Sequence, residues 1–342
     1  VATIKDVAKH AGVSASTVSY VLSGKRPISR AVKKRVEKAV VKLGYVRNLQ
    51  AHNLRKGISH TIGMVHPLNY ILSDGMGVDF IGSAAEVLES HALENRYTLS
   101  LFTQPQEPEH LLAAFRQRRI DGLILMHITR HDSRVEALRK TTFPFALIGR
   151  PENTDGLSLV DFDAEQAAYL GIKHLAELGH RTIAYLDLPV HEHDQDLSYA
   201  HYLQRGLELA EQTFGVKLLR QESGRRNHNA YEATRALLAH TEDLSAIVVL
   251  AGTTQLGVLR ALQDAGKRVP EDCSVLCIGS VGVANWTTPR LTSLDMQLAD
   301  MGRIAAELVL ERISGLVETK QIILPANLVQ RESTAPPKKK GY

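Results

Sequence analysis

Apolar residues recur at helical spacing in three short stripes within the first 45 residues. Ile4, Val7, Ala8 and Ala11 form the first and Gly12 stops it; Val18, Val21 and Leu22 form the second; Val32, Val36, Ala39, Val40 and Leu43 form the third, ended by Gly44. Each stripe has a start signal. Thr3 with Asp6 three residues on reads as a capping box, and Ser14 and Ser29 read as N-caps. Three short helices with a tight glycine turn between the first two predict a helix-turn-helix unit over residues 1–46. From residue 61 the period changes. Short apolar runs such as "TIGMV", "GLILM", "FALIG", "TIAYL", "AIVVL" and "SVLCIG" alternate with amphipathic segments such as "PEHLLAAFRQRR" and "TQLGVLRALQDAG". That alternation predicts an α/β body of doubly wound parallel sheets with helices on both faces.

Length agrees with this division. A chain of 342 residues exceeds one ordinary core and calls for two or three domains. Charge then separates the pieces. Residues 1–60 hold thirteen Lys or Arg against Asp6 and Glu37, a net +11, while the remainder carries −7. A basic domain attached to an acidic body points to a polyanion as the partner of the first and discourages nonspecific attachment of the second. In a helix-turn-helix the second helix enters the major groove. Here that helix begins with small residues, Ala15, Ser16 and Thr17, which let it lie close to the groove floor. Thr17 and Ser19, together with the amides capped by Ser14, suit phosphates.

No apolar run reaches the length of a membrane span, and the first twenty residues are amphipathic, with Lys5, Asp6 and Lys9 among them; both predict a cytoplasmic protein. Two cysteines, Cys273 and Cys277, lie in a run that reads as a strand and are too few for a disulfide framework or a four-ligand zinc site. They are expected to be buried, reduced thiols. The "HEHD" at 191–194 reads as a solvated loop before it reads as a metal site. The sequence has no glycine-rich phosphate loop, metal-ligand set or nucleophile elbow, so neither an enzyme nor a cofactor is expected.

The stretches "TIKDVAKHAGVSASTVSYVLSGKRPIS" and "LGYVRNLQAHNLRKG" resemble the DNA-binding domain and hinge of the lactose/galactose repressor (LacI/GalR) family of bacterial transcription regulators. The resemblance runs on in order through "RRIDGLIL", "LIGRP", "HLAELGHRTIAYL", "RVPEDCSVLCIG", "PRLTSLDMQLADMG" and "LVQREST", so it covers nearly the whole chain. It implies a helix-turn-helix head (1–46), a hinge (47–60) and a periplasmic-binding-protein-like body (61–342). Lobe one is expected over about 61–158 and 290–322, lobe two over about 162–286 and 323–335, with a tail at 336–342 and crossings near 155–162 and 286–294. It also implies a homodimer on near-palindromic double-stranded operator DNA, acting as a repressor. The absence of leucine heptads near the end of the sequence predicts no tetramer. The DNA-facing residues it implies are Thr3, Ser14, Ala15, Ser16, Thr17, Ser19, Tyr20 and Ser29 in the head. In the hinge they are Asn48, Ala51, His52, Leu54 and Arg55, with Leu54 the minor-groove wedge. Two positions depart from the family pattern: Tyr20 stands where an arginine is frequent, and Arg47 where a proline is usual. Tyr20 can make one hydrogen bond or pack on a thymine methyl but cannot make the bidentate guanine contact of an arginine.

The effector site resembles the family least. Leu203, Ala251 with Gly252, and Val281 with Gly282 stand where sugar-binding members carry arginine, an Asn-Asp pair and acids. A site that holds hydroxyls through such groups does not keep its ligand without them. Cationic and aromatic groups at other cleft positions, namely Arg130, Arg225, Arg226, Phe80 and Trp286, together with His127, predict an anionic or partly aromatic small molecule. A cleft that takes no ligand, or one that answers to a protein partner, fits the same substitutions. The competing reading of the whole chain, a solute-binding module without DNA function, leaves the first sixty residues unexplained.

Overall fold

The computed structural model describes residues 2–23, 26–45, 57–68, 77–90, 96–104, 106–187, 196–250, 254–279 and 281–338. The chain forms two units, 1–59 and 60–342.

In the first unit, α1 (Ile4–Ala11), α2 (Ala15–Ser23) and α3 (Arg30–Leu43) follow the three apolar stripes. The capping box at the start of α1 is complete: the Thr3 amide donates to Asp6 Oδ2 at 2.8 Å, and the Asp6 amide to Thr3 Oγ1 at 3.4 Å. Gly12 (φ 63°) and Gly44 (φ 57°) end α1 and α3 in the left-handed conformation, where a side chain is unfavourable. Val7, Val18, Val36 and Ala39 close a small core. Such a core is too small to tolerate a cavity, so the glycine stops and serine caps contribute a large share of its definition.

The second unit holds two six-stranded sheets. The first contains β1 (Thr61–Val65), β2 (Thr98–Phe102), β3 (Gly122–Leu125), β4 (Phe145–Ile148) and β5 (Leu159–Phe162). Its helices are α4 (Gly77–Glu89), α5 (Pro108–Arg116) and α6 (Ser133–Arg139). The second contains β6 (Thr182–Asp187), β7 (Lys217–Glu222), β8 (Ala246–Leu250), β9 (Ser274–Gly279) and β10 (Thr292–Asp295). Its helices are α7 (Ala164–Glu177), α8 (Ser198–Phe214), α9 (Asn227–His240), α10 (Thr254–Asp264) and α11 (Val281–Asn285). The helix α12 (Leu298–Ile313) then returns to the first sheet, β11 (Gln321–Leu324) adds to its edge, and β12 (Asn327–Val329) adds to the second. The orders are β11-β5-β4-β3-β1-β2 and β12-β10-β9-β8-β6-β7, parallel throughout except for the β10–β12 pair. Central strands such as β3 and β8 are buried along their whole length, which is why they read as unbroken apolar runs.

The chain therefore passes between the sheets three times, at 162–164, 295–298 and 324–327. Two of these differ from the sequence expectation. Leu159–Phe162, expected between the lobes, is a strand of the first sheet. Thr292–Asp295, expected in lobe one, pairs in parallel with β9, and Thr292, Ser293 and Leu294 are fully buried there. The short polar side chains in "LTSLD" hid a core strand. Thr292 and Ser293 are satisfied by the "QREST" segment: the Thr292 amide donates to Ser333 Oγ at 2.8 Å, Arg331 Nη1 to Ser293 Oγ at 2.9 Å, and Ser333 Oγ to the Val275 carbonyl at 2.6 Å.

Helix pairs flank the sheets, and glycine sets how closely they approach. A Cβ at Gly206 of α8 would strike the Glu165 carbonyl and approach the Ala168 Cβ of α7 to 2.9 Å; one at Gly302 of α12 would strike the Phe80 carbonyl and Ser83 Oγ of α4. Because the obstacle at Gly302 includes backbone, a methyl there forces α12 and α4 apart. Gly302→Ala is expected to lower the free energy of unfolding in urea by about 1–3 kcal/mol, the usual cost of overpacking; an unchanged midpoint would show that the two helices separate freely.

Candidate functional site

The strand ends of the two sheets face each other across a cavity of about 90 Å³. This is where open parallel sheets place ligands, at the carboxyl ends of their strands. His66 follows β1, Met126 and His127 follow β3, Ile148 ends β4, Asp161 and Phe162 end β5, Leu250 ends β8 and Met296 follows β10. Phe80 of α4, Ser198 and Tyr199 at the start of α8, Arg225 beyond β7, and Leu298 and Met301 of α12 complete most of the lining.

Its polar groups are few and mostly engaged. His66 is 2% exposed, and its Nδ1 lies 3.2 Å from His127 Nε2, so one ring donates to the other. Burial holds His66 down at about 4 and His127 well below the usual 6.5, so both rings are neutral. His127 sits at φ 53°, a left-handed conformation that histidine tolerates better than most residues, and Arg134 Nη2 donates to its carbonyl at 2.8 Å. Burial raises the Asp161 carboxyl to about 7 against the opposing pull of Arg150, whose Nε lies 3.3 Å from Oδ2. Arg225 donates to the Tyr199 hydroxyl. Two buried polar atoms of the lining have no hydrogen-bond partner: His66 Nε2 and Ser198 Oγ. Gly77 leaves room beside the first, since a Cβ there would strike the His66 ring.

Of the residues proposed from sequence to hold an effector, Phe80, His127 and Arg225 line the cavity. Four others are elsewhere. The Arg130 Nε donates to Asp196 Oδ1 at 2.6 Å, and its Nη1 lies 4.0 Å from Glu152, so its charge is spent on a strut between the lobes. That strut is continued by backbone bonds from Arg130 to Asp196 at 3.0 Å and from Ser198 to Ile128 at 3.0 Å. Leu203 is 1% exposed and belongs to the hydrophobic core under α8. Trp286 is 90% exposed and projects from the end of α11. Arg226 is the N-cap residue of α9. Val281 opens α11, its side chain lying outside the described residues, as do Ala251 and the 191–194 segment. The apolar lining residues Met126, Phe162 and Met296 escaped sequence reading because a strand end in a cleft and a strand end in a core carry the same residues, and Met301 because a helix face looks the same over either. The signal that could have found His66 and Ser198 is position, directly after β1 and at the first turn of α8.

Among the described residues there is no group of three or more His, Cys, Asp or Glu that could hold a metal, and no helix is long and apolar enough to cross a membrane. Cys273 and Cys277 are free and buried, and burial pushes both thiols up to about 12.

The second candidate surface is the outer face of α2. Ser14 Oγ accepts from the Thr17 amide at 3.1 Å and lies 2.7 Å from Ser16 Oγ and 2.8 Å from Thr17 Oγ1, a ring of hydroxyls around the helix N-terminus. Ser14 and Ser16 are exposed, and Ala15, Thr17, Ser19 and Tyr20 are half-buried. The Arg26 guanidinium lies over the Tyr20 ring, 4.8 Å from its centroid, a contact between the second helix and the following turn that sequence spacing did not reveal. Thr3 is exposed and occupied by its capping box, and exposed Ser29 caps α3 through a 3.4 Å bond from the Val32 amide. The hinge residues Asn48, Ala51, His52, Leu54 and Arg55 lie outside the described residues.

A helix-turn-helix domain followed by a two-lobed binding-protein body defines a ligand-responsive DNA-binding transcription regulator. Comparison with known proteins gives the family: residues 3–48 match the model of bacterial regulatory proteins of the lacI family, and residues 172–334 match the periplasmic binding protein-like domain. The chain thus combines a LacI-family helix-turn-helix domain with a periplasmic-binding-protein-like domain. It is 28% identical to catabolite control protein A of Priestia megaterium, over 97% of this chain and 99% of that protein. It is 28% identical to the HTH-type transcriptional repressor PurR of Haemophilus influenzae (strain PittEE), over 97% and 98%. The Lac repressor dimer bound to operator and the anti-inducer ONPF has the same fold, with a TM-score of 0.82 at 23% identity over 98% of this chain and 99% of that one.

The neutral histidines make stability depend on pH. The unfolded chain protonates His66 near 6.5 and the folded one only near 4, so its contribution is fully present above 6.5 and is lost as the pH falls towards 4. His127, His174 and His180 are shifted in the same direction by burial. Asp161, raised to about 7, acts in the opposite sense: its contribution is present below 3.8 and is lost as the pH rises to 7. Four histidines outweigh one carboxyl, so the melting temperature of the body is expected to rise from pH 5 to 6.5. His66→Gln is expected to flatten that rise, His66 alone accounting for up to about 3 kcal/mol; a profile identical to wild type would place His66 in contact with solvent.

Proposed function

We propose that the protein is a cytoplasmic, homodimeric repressor that binds a near-palindromic operator through paired α2 helices and is switched by a small molecule held in the body cavity. The observation that carries this reading is the outer face of α2: a serine-capped N-terminus, small residues after it with Ser16 exposed, and an aromatic–guanidinium pair at its far end, all within a region of net charge +11. Ala15 and Ser16 let the helix approach the groove floor, Thr17 and Ser19 meet phosphate with the α2 amides, and Thr3 and Ser29 offer the corresponding contacts at α1 and α3. Tyr20 reads a base, and Arg26 holds its ring in place. In the hinge, Leu54 serves as the wedge and Asn48, Ala51, His52 and Arg55 as its flanking contacts.

Repression is favoured over activation by the relative named as a transcriptional repressor, which is aligned over almost its full length. Action on chromosomal operators requires the cytoplasm. The body switches rather than catalyses: its cavity is mostly apolar, and its paired histidines are neutral and bonded to one another. Ligand and operator binding are coupled, by a few kcal/mol at most.

Selection from a random duplex library followed by gel mobility shift tests the proposal. The selected sites are expected to be palindromic, and the logarithm of affinity to fall linearly with the logarithm of salt concentration. Tyr20→Arg is expected to change the preferred base at one position in each half-site with the salt slope nearly unchanged. Arg26→Ala is expected to relax that same position. Affinity without salt dependence, or sites without symmetry, would reject the dimeric repressor.

A further inference from the structure

We infer that the cavity takes a small, neutral, largely apolar molecule bearing one hydroxyl group, rather than a sugar or a carboxylate; this rests on reading the cavity as the effector site. The lining chemistry carries the argument. Phe80, Phe162, Met126, Met296, Met301 and Leu250 face a space of about 90 Å³, which limits an occupant to a small molecule. A sugar brings several hydroxyls, each of which must exchange water for a protein partner, and this lining has far fewer polar atoms than such a ligand requires.

Each charged group of the lining is engaged inside the protein. Arg225 meets the Tyr199 hydroxyl and Asp161 meets Arg150, while Arg130, the cation expected from sequence to attract an anion, is held by Asp196. Among the described residues of the lining, what remains for a ligand is His66 Nε2 and Ser198 Oγ, each on a residue 2% exposed and each without a hydrogen-bond partner. His66 is neutral and shares its Nδ1 with His127, so its Nε2 is a donor in one tautomer and an acceptor in the other. A hydroxyl both donates and accepts, and so satisfies either tautomer, and Ser198 in turn. A carboxylate only accepts, and it would also lie beside Asp161.

Calorimetry and thermal shift on the full chain, with cyclohexanol, cyclohexanecarboxylate and ribose as probes, test the assignment. Cyclohexanol is expected to bind and to raise the melting temperature, and Ser198→Ala to weaken it about tenfold. Met301→Trp, which fills the cavity, is expected to abolish binding; Leu298→Phe serves the same purpose if circular dichroism shows the first variant misfolded. Ribose or the carboxylate binding more tightly than cyclohexanol, and lost in the filled variants, would overturn the ligand class while leaving the cavity as the effector site. Binding of cyclohexanol that survives the filled variants would overturn the cavity as the site as well. No heat and no thermal shift with cyclohexanol at millimolar concentration would overturn the inference.

Discussion

Three passages of the chain between two parallel sheets hold the body together, and most of its other features follow from them. A parallel strand must be followed by a connection that returns to the opposite end of the sheet, so the parallel strands of a lobe finish on one side. Because the chain changes sheets after β5, β10 and β11, the two sets of strand ends are brought face to face. The cavity is the space between them, and its lining is drawn from the residues at or just beyond those ends and from the helices α4, α8 and α12.

That origin explains the chemistry of the cavity. Residues ending buried strands are apolar, so the wall is made of phenylalanine, methionine, leucine and isoleucine. Apart from Asp161 in β5, polar groups enter where the backbone has left the sheet: His66 and His127 after their strands, Ser198 at the opening of a helix, Arg225 in a loop. In such surroundings the imidazoles stay uncharged and pair with one another. The strut from Arg130 to Asp196 spans the lobes beside the cavity, so a cationic side chain serves the geometry of closure rather than the attraction of a ligand.

The fold was legible to the extent that burial leaves a regular trace. The helical stripes of α1 to α3, with Thr3, Ser14 and Ser29 as caps and Gly12 and Gly44 as stops, stand where their spacing placed them, because short helices around a small core admit little else. β8 and β9 were equally plain, being apolar throughout. β10 was not, since Thr292 and Ser293 look like loop residues until the hydrogen bonds from Arg331 and Ser333 are known, and those partners lie about forty positions away. The site was less legible still. Nothing local distinguishes Met126 or Phe162 in a cavity wall from the same residues in a core. Nothing near Arg130 announces that Asp196 will neutralise it, and Trp286 and Leu203 differ from a pocket wall only in the direction they face. Phe80 and His127 line the cavity because each lies close to the carboxyl end of a strand or on the helix that covers it.

The segment around Arg331 and Ser333 has one more consequence, which concerns time. It bonds β10 to β9, and the amide of Ala335 donates to Ser274 Oγ while His180 Nε2 donates to the Ala335 carbonyl, so the second sheet is complete only once this stretch is in place. A ribosome adds about 5–20 residues each second and releases the earliest segments first. The helix-turn-helix, whose caps and core are all local, is finished many seconds before the last strand and its fastenings emerge. During synthesis the part that contacts DNA takes shape while the part that senses a ligand does not yet exist, and the nascent chain is deaf to its signal until the stretch 331–335 is made.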